Sequence, residues 1–487
     1  MSTTLTPTPT LLTPLLPPKT LVGIDLITFT STPNFHGIRD LPGGWHFLYT
    51  GTTEGLSLRL GGWFYTSKDS RPSNSNEPDV LVWRWDDTIE SLEPLGPNQN
   101  SEGMRYKANI GGVWGSGGLF GYRSRVPVPV AGLGAGAGAL QKSGTGANVA
   151  PVEVDEEDEE EGRREWAALT DSLSEELLDR ITGPPGVDWE GRKRWVVTSG
   201  STARQDDDDI PGLGVENPSS GLTLEGANAM TTESAPGPGP EQQSQSQSQT
   251  RPEENPERER EFSFLPVDLK MTWREGAIGR ERTEAARDKS YALGEIIQRV
   301  SGSHGDGAGA GEAQILGEIQ FTFLMGLTLM NYSCLQQWKR LLRLILSCRR
   351  AIVDRARLIS SVLRLLLLQL KRCDDVEGGL FDQMGAEGGA EGAEFLRKLL
   401  KRFRTALYEV LEDGDGCGQE FPVKVEFEKL ETWVKSEYDW ELDRDKVLRR
   451  GMLQLEDGEE VEMDMVDHEE EEEYAPVVVD LDGEMHI

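Results

Sequence analysis

Residues 338–370 read WKRLLRLILSCRRAIVDRARLISSVLRLLLLQL, and this stretch decides the fold class of the C-terminal half of the chain. Its apolar residues recur at intervals of three and four, which places their side chains on one face of an α-helix. The positions that share this spacing, including a later group, are Trp338, Leu341, Leu342 and Ile345, then Leu358, Ile359, Val362, Leu363, Leu366 and Leu370, then Leu396, Leu399, Leu400, Phe403, Leu407, Val410 and Leu411. Several amphipathic helices with short breaks predict a compact all-α bundle or a stacked helical solenoid from Thr283 to about Arg450.

The N-terminal half has a different pattern. Between Leu21 and about Tyr122, short apolar runs rich in aromatic residues alternate with turn signals such as Pro42-Gly43-Gly44. We predict strands at residues 21–26, 45–49, 62–65 and 80–85. Strands this short and frequent predict a mainly antiparallel β domain, either a sandwich or barrel-like. The predicted fold class is therefore α+β, with two domains.

Composition divides the 487-residue chain into five parts. Segments rich in glycine, proline or like charges cannot bury enough apolar area to offset the entropy of ordering, so we predict disorder there. The predicted parts are a disordered N-terminus (1–18), a β-rich domain (19–203) with a disordered Gly/Ala-rich and acidic insertion at about 128–163, a disordered linker (204–261), a helical domain (262–450) and an acidic tail with a short strand-forming segment (451–487). Within the β-rich domain, Trp166–Ile181 has helical spacing and can form one helix or two.

The chain carries a formal net charge of −34. A charge of this sign repels phosphate backbones and anionic membranes and favours basic protein partners. Residues 319–338 form an uncharged stretch long enough to cross a bilayer. This stretch contains Gln320, Asn331, Gln336 and Gln337, so we predict a buried helix of a globular domain and no membrane association.

Residues that often carry catalysis are present, but their spacing does not predict a site. The five histidines lack a nearby nucleophile and orienting acid, and the four cysteines lack metal-ligand spacing. We therefore predict no catalytic residue, no cofactor and no metal site. The alternative, a hydrolase or transferase built on the β domain, requires a cleft where Asp25, His36 or His46 converge. Residues 111–121 are glycine-rich but fit neither phosphate-binding pattern, so we predict tight turns packed by aromatic residues.

Basic residues dominate residues 339–372, where Asp354 is the only acidic residue. This surface can be the solvated side of amphipathic helices, an RNA-binding face or a docking face for an acidic partner. An RNA-binding face usually includes exposed aromatic residues, whereas the aromatic residues here fall mostly on the apolar stripe. The chain's own acidic segments would also compete for the basic face. The alternative function, an RNA-binding helical adaptor, is therefore disfavoured.

The segment Val477-Val478-Val479-Asp480-Leu481 follows an acidic run and has high strand propensity. An extended segment of this kind can add a strand to the exposed sheet edge of a partner protein. A free tail, or a tail docked on its own chain, is the alternative. Val477, Val478, Val479 and Leu481 are therefore candidate partner-binding residues.

Three blocks of sequence carry a family likeness. They are Val22–Leu26 with Phe35–Ile38 and Pro42–Leu48, then Asp288–Leu293, then Gly317–Phe323 with Gln337–Leu342. Together these blocks resemble the family of U5 small nuclear ribonucleoprotein assembly factors, first named for a role in a1-alpha2 repression. The likeness covers most of the two predicted domains but neither the insertion nor the linker.

The resemblance implies a β-rich N-terminal domain and a superhelical, VHS-like helical domain. It implies a non-catalytic assembly factor for the U5 particle in pre-mRNA splicing, present in the cytoplasm and nucleus. The implied partner is the large central scaffold protein of the U5 precursor, bound through its RNase H-like and Jab/MPN-like domains, so that access of the partner helicase is delayed. It supports strand addition by the tail, and the third block adds Trp338, Lys339 and Arg340 to the candidate partner-binding residues.

Overall fold

The structure is a computed structural model that describes residues 9–51, 58–67, 79–125, 156–203, 261–301, 307–373, 390–413, 420–443, 450–454 and 460–464. The strands of the N-terminal half are β1 (Thr10–Leu12), β2 (Leu21–Ile24), β3 (Ile27–Thr30), β4 (Gly37–Arg39), β5 (Gly44–Gly51), β6 (Leu60–Thr66), β7 (Val80–Asp86), β8 (Ser91–Pro94), β9 (Leu119–Gly121), β10 (Gly186–Val187) and β11 (Lys193–Thr198). The four predicted strands coincide with β2, β5, β6 and β7 and are confirmed.

These strands form two sheets, with the orders β8-β7-β1-β4-β9 and β10-β11-β6-β5-β2-β3. β1 is parallel to β7 and β4 is parallel to β9, while the other pairs in the two sheets are antiparallel. Apolar side chains from both sheets share one core, with Val22 and Phe64 from one sheet and Leu81 and Trp83 from the other. The predicted mainly antiparallel β domain is therefore confirmed.

The N-terminus is more ordered than its composition predicts. The prediction of disorder over residues 1–18 is wrong for Thr10–Leu12, which form the buried strand β1. In β1, Leu11 lies opposite Ile38 on one side and Leu81 on the other. Its pairing partners, β4 and β7, lie outside the N-terminal segment, so the local sequence does not predict this strand.

The glycine-rich region at residues 111–121 also differs from its prediction. Its first part belongs to helix α1 (Asn100–Gly115), which follows a single 3₁₀ turn at Pro97–Gln99. The prediction of tight turns is wrong there because Tyr106, Ile110, Val113 and Trp114 have helical spacing and pack together against the Trp189 cluster. Burial of this face outweighs the low helix propensity of the glycines.

Two helices follow the predicted insertion, α2 (Glu156–Leu169) and α3 (Glu175–Thr182). The prediction of two helices is thus confirmed. The prediction of disorder at about 128–163 is wrong for residues 156–163, which belong to α2. Acidic residues in the first turn of a helix are favoured by the helix dipole. The backbone N–H and the hydroxyl of Ser124 both donate to one carboxylate oxygen of Glu159, each at 2.9 Å. The rest of the predicted insertion, 128–155, and residues 204–260 of the predicted linker lie outside the described residues.

The C-terminal half is helical, as predicted. Its helices are α4 (Arg280–Arg287), α5 (Ser290–Val300), α6 (Gly307–Thr328), α7 (Tyr332–Ile345), α8 (Ala351–Asp354), α9 (Ala356–Arg372), α10 (Ala390–Asp413) and α11 (Glu420–Tyr438). The apolar stripes that predicted helices lie on α7, α9 and α10 and face the core. Within the ranges described above, no helix is long and apolar enough to span a membrane. The uncharged stretch at residues 319–338 is instead divided between α6 and α7, where Asn331 caps α7 by accepting a hydrogen bond from the N–H of Cys334 at 2.9 Å.

A short hairpin lies in the region predicted to be an acidic tail. β12 (Arg450–Gln454) pairs antiparallel with β13 (Glu460–Asp464), so that Arg450 lies opposite Asp464 and Leu453 lies opposite Val461. In β13, the acidic residues Glu460, Glu462 and Asp464 alternate with Val461 and Met463, which is the pattern of a strand. The high acidic content of the region hides this alternation. The strand-forming segment Val477–Leu481 lies outside the described residues.

Candidate functional site

A buried carboxylate, Glu318 of α6, joins elements from both halves of the chain. Its Oε2 lies 2.8 Å from Nη1 of Arg180 on α3. Its Oε1 accepts hydrogen bonds from the backbone N–H of Leu265 at 2.9 Å and from the side chain of Gln337 on α7 at 2.8 Å. Burial raises the pKa of Glu318, while Arg180, Gln337 and Leu265 act in the opposite direction. The carboxylate thus ties α3, α6, α7 and the segment that enters the helical half.

A second polar side chain of α6 makes a similar bridge. The amide of Gln320 donates to the carbonyl of Ala168 at 3.1 Å and to the carboxylate of Asp171 at 2.7 Å. Its oxygen accepts a hydrogen bond from the N–H of Ser172 at 2.9 Å. Gln320 therefore holds the turn between α2 and α3, which belongs to the N-terminal half, against a helix of the C-terminal half.

Asn331, at the start of α7, holds the end of β11. Its side-chain amide donates to the carbonyls of Thr198, Ser199 and Ser201 at 3.1, 3.1 and 2.8 Å. Nearby, the guanidinium of Arg59 donates to the carbonyl of Thr328 at 2.7 Å. Polar groups buried in this way must find partners inside the protein, so these bonds fix the relative position of the sheet and the helices.

Aromatic residues fill the space between these bridges. Trp63 of β6 stacks on Trp166 of α2, with ring centroids 6.2 Å apart, and lies 6.4 Å from Phe321 of α6. The indole N–H of Trp166 donates to the carbonyl of Trp45 at 2.8 Å, and that of Trp45 donates to the carbonyl of Leu173 at 3.1 Å. One continuous apolar core therefore runs from the six-stranded sheet through α2 and α3 into the helices. We call this region, with Glu318, Gln320 and Asn331, the junction.

The junction contains polar residues whose role the sequence pattern alone did not predict. In the sequence, Gln320, Asn331 and Gln337 indicate that residues 319–338 do not span a membrane, and Glu318 directly precedes this stretch. Polar side chains within an otherwise apolar helical stretch are the signal that could have identified a buried polar contact. Glu318, Gln320 and Gln337 all come from the third block of family likeness, so part of that block serves to join the two halves.

The three candidate residues on α7 are not a free surface. Trp338 is 0% exposed and its indole N–H donates to Gln369 of α9 at 3.0 Å. The prediction that Trp338 contacts a partner is therefore wrong, because its ring belongs to the core. Arg340 is also buried, at 9% exposure. Lys339 is half-buried, with its ammonium 6.0 Å from the centre of the Phe395 ring. The other candidates, Val477, Val478, Val479 and Leu481, lie outside the described residues.

Much of the basic segment 339–372 is neutralised within the fold. Ion pairs join four of its arginines to acidic residues of other elements, namely Arg349 to Glu409 at 2.6 Å, Arg355 to Glu312 at 2.7 Å, Arg364 to Glu426 at 3.3 Å and Arg372 to Glu165 at 2.9 Å. Arg343 lies over the ring of Phe395 at 5.0 Å. These contacts favour the interpretation of the segment as the outer side of packed helices.

The residues of the catalytic alternative divide between core and surface. Asp25 and His46 do meet, with Nδ1 of His46 2.8 Å from Oδ2 of Asp25, but both are buried in the β domain while His36 is exposed. Nε2 of His46 faces the carbonyl of Pro42 at 2.8 Å, and the hydroxyl of Tyr122 donates to Asp25 at 2.6 Å. Among the described residues, Asp25 and His46 therefore face the packed core of the β domain, and His36 does not join them.

The same contacts set the charge of His46. Burial acts to lower its pKa, but the charge of Asp25, the hydrogen bond to Asp25 and the carbonyl of Pro42 together raise it. The pKa of Tyr122 is raised as well, first by burial and then by Asp25. Since both ring nitrogens of His46 face oxygen acceptors, the Asp25–His46 pair holds a proton that an isolated histidine would release.

No group of three or more His, Cys, Asp or Glu side chains suited to a metal ion occurs in the part of the chain that the structure describes. Cys334, Cys348 and Cys373 are buried and form no disulfide among the described residues, and Cys417 lies outside that part. The cysteines described here therefore serve as packing residues.

Two family models match the chain. The model of the AAR2 N-terminal domain matches residues 7–183, and the model of the AAR2 C-terminal repeat region matches residues 264–443. The first match contains the two sheets except for β10 and β11, and the second contains α4 to α11. Together they span most of the chain and agree with the likeness found in the sequence. The chain therefore belongs to the AAR2 family of U5 small nuclear ribonucleoprotein assembly factors.

Proposed function

We propose that this protein is a non-catalytic assembly factor that binds the large central scaffold protein of a U5 precursor particle. It grips the RNase H-like and Jab/MPN-like domains of that scaffold and delays access of the partner helicase. Its activity consists of covering surface on another protein. The proposal places it in both the cytoplasm and the nucleus, since a precursor particle must pass between them.

The observation that carries this proposal is the junction between the two halves. A factor that holds two domains of a partner at once needs a fixed distance between its own binding surfaces. A continuous core crossed by the buried contacts of Glu318, Gln320 and Asn331 supplies such a fixed arrangement. Rigid presentation lowers the entropy lost on binding, because less motion remains to be ordered in the complex.

The tail supplies the second part of the proposed mechanism. Val477, Val478 and Val479 pair through their backbone with an exposed sheet edge of the scaffold, and Leu481 occupies a side-chain pocket on the same face as Val477 and Val479. Pro476 lacks a backbone N–H, so pairing begins after it. Linking the tail to a rigid body raises its effective concentration at the scaffold without requiring new contacts.

Among the α7 candidates, Lys339 is the least buried. Its ammonium and the guanidinium of Arg343 both lie against Phe395, which orients two cations at the surface of α7 and α10. The RNA-binding alternative gains no support from this segment, because the ion pairs of Arg349, Arg355 and Arg372 occupy much of it.

The test is direct binding of purified scaffold fragments to the full chain and to a variant lacking residues 475–487. We expect the deletion to weaken binding at least tenfold, since the tail contributes a whole strand of backbone hydrogen bonds. A matched control replaces Val477, Val478 and Val479 by threonine, which keeps β-branching and backbone pairing and should bind nearly as well as the native chain. Undiminished binding by the deletion variant would refute the tail mechanism, and absence of binding by the full chain would refute the proposed partner.

A further inference from the structure

Helix α9 carries a row of cations along its outer face. Arg357, Arg364 and Lys371 are spaced by seven residues, which places them on one side of the helix over about 21 Å. All three side chains are exposed. We call this row the basic stripe.

The basic stripe is only partly neutralised by its surroundings. Arg364 lies 3.3 Å from Glu426 of α11, but Glu426 also faces Lys429 at 3.1 Å, and the Arg364 side chain is 66% exposed. Within the described ranges, neither Arg357 nor Lys371 forms an ion pair. The stripe therefore keeps a net positive charge on a chain whose net charge is −34.

The chain leaves the helical half beside one end of this stripe. The hydroxyl of Tyr438, the last residue of α11, lies 3.5 Å from the thiol of Cys373, which directly follows α9. Trp440 and Leu442 are buried, so the chain is anchored at this place before it continues toward the C-terminus. Of the three stripe residues, Lys371 is the nearest in sequence to Cys373 and so to the place where α11 ends.

The C-terminal part of the chain contains a matching run of anions. Residues 469–473 are five consecutive glutamates, which span about 16 Å when extended and so match the length of the stripe. The hairpin of β12 and β13 returns on itself, because Arg450 lies opposite Asp464. The connections before and after the hairpin can together span about 40 Å, enough to bring the glutamates back over α9.

We propose that Glu469–Glu473 dock on the basic stripe of α9 in the free protein. Opposite charges attract across this surface, and covalent attachment gives the glutamates a high local concentration there. The docked run shields α9 from nucleic acid and from acidic partners until it is displaced. This proposal concerns the acidic run and does not depend on strand addition by Val477–Leu481.

The contact can be tested by zero-length carbodiimide cross-linking, which joins a lysine amine to a carboxylate that it touches. In the full-length protein at 20 mM NaCl, we expect Lys371 to link to Glu469–Glu473 at least ten times more often than exposed Lys270 does. Lys270 is the control because it lies outside α9. Salt at 500 mM and the double variant Arg357→Gln/Arg364→Gln should each reduce the Lys371 link at least fivefold. Equal linking of both lysines, or a link that resists salt and the double variant, would overturn the proposal.

Two further measurements test whether the glutamates dock within one chain and whether they cover the basic stripe. A mixture of ¹⁴N- and ¹⁵N-labelled protein distinguishes links within one chain from links between chains, and links only between chains would contradict docking in cis. A fluorescent single-stranded RNA then reports whether the stripe is covered. Replacing the five glutamates by glutamine should tighten RNA binding at least fivefold at low salt, and equal affinity of the two proteins would contradict the shielding.

Discussion

Replacing Glu318 by alanine tests the junction most sharply. The change removes the only carboxylate that ties Arg180, Leu265 and Gln337 together in the described residues. Breaking a buried ion pair by removing one partner costs about 3–5 kcal/mol, because the other groups stay desolvated. Arg180 is 25% exposed and can turn toward water, and Gln337 keeps its bond to the carbonyl of Leu265 at 2.9 Å. We therefore expect the free energy of unfolding to fall by about 3 kcal/mol, the lower end of that range.

The isosteric change Glu318→Gln separates charge from shape. The side-chain oxygen of glutamine can still accept hydrogen bonds from the N–H groups of Leu265 and Gln337. Its NH₂ group, however, would face the guanidinium of Arg180, and two donors repel each other. Burial raises the pKa of Glu318, so removing its charge also removes a desolvation cost that partly offsets the lost ion pair. We expect a loss of about 1 kcal/mol, close to the net value of one hydrogen bond.

The assay is equilibrium unfolding in urea followed by tryptophan fluorescence, since Trp63 and Trp166 lie at the junction. With a slope of about 3 kcal/mol per molar urea, Glu318→Ala should lower the midpoint by about 1 M. Glu284→Ala is the matched control, because within the described part of the chain Glu284 pairs only with exposed Arg280 on α4. This substitution should leave the midpoint unchanged. A loss below about 1 kcal/mol for Glu318→Ala, or a separate transition for one half that does not shift, would refute the argument that the junction couples the two halves.

Two further predictions address the N-terminal half. The raised pKa of His46 means that its contribution to stability is fully present below the ordinary histidine pKa near 6.5 and is lost as the pH rises through the folded-state value. His46→Gln should therefore destabilise the protein more at pH 6 than at pH 9 in urea unfolding, and a pH-independent difference would contradict the protonated pair. In α1, Gly103→Ala should lower the melting temperature, because its Cβ would lie 2.3 Å from the Trp189 ring, whereas Gly111→Ala meets no atom within 4 Å and should stabilise the protein by about 0.5–1 kcal/mol. Similar effects of both glycine changes would refute the packing of α1 on Trp189.

The helical half could be predicted from sequence because its information is local. The apolar stripes that include Leu341, Leu363 and Phe403 repeat within each helix, and the helices form where the stripes lie. The strands around Trp45, Trp63 and Trp83 were also visible as short aromatic runs between turns. In these regions local propensity and tertiary packing favour the same structure.

Features that depend on distant partners were missed. β1 at Thr10–Leu12 exists because β4 and β7 lie on either side of it, and nothing within residues 1–18 reveals those partners. The glycines of α1 obscured a helix that is stabilised by packing near Trp189. In both places tertiary contacts override local composition.

The error at Trp338 has a different origin. Its place on the apolar stripe of α7 already predicted burial, yet its place in a family block suggested a partner contact. A block that resembles a family does not show whether a residue in it serves folding or binding. Here Trp338 serves folding, because it lies in the core and donates a hydrogen bond to Gln369. Glu318 and Gln337 from the same block are constrained by the junction. The pattern of burial was the better guide to the role of Trp338.

Affinity purification of the tagged, full-length protein from cell extract, followed by mass spectrometry, tests the central claim most directly. If the protein covers the scaffold in a precursor particle, the U5 scaffold protein should be enriched with it while the partner helicase is depleted relative to mature particles. Recovery without the scaffold protein, or with scaffold and helicase in equal amounts, would contradict the account.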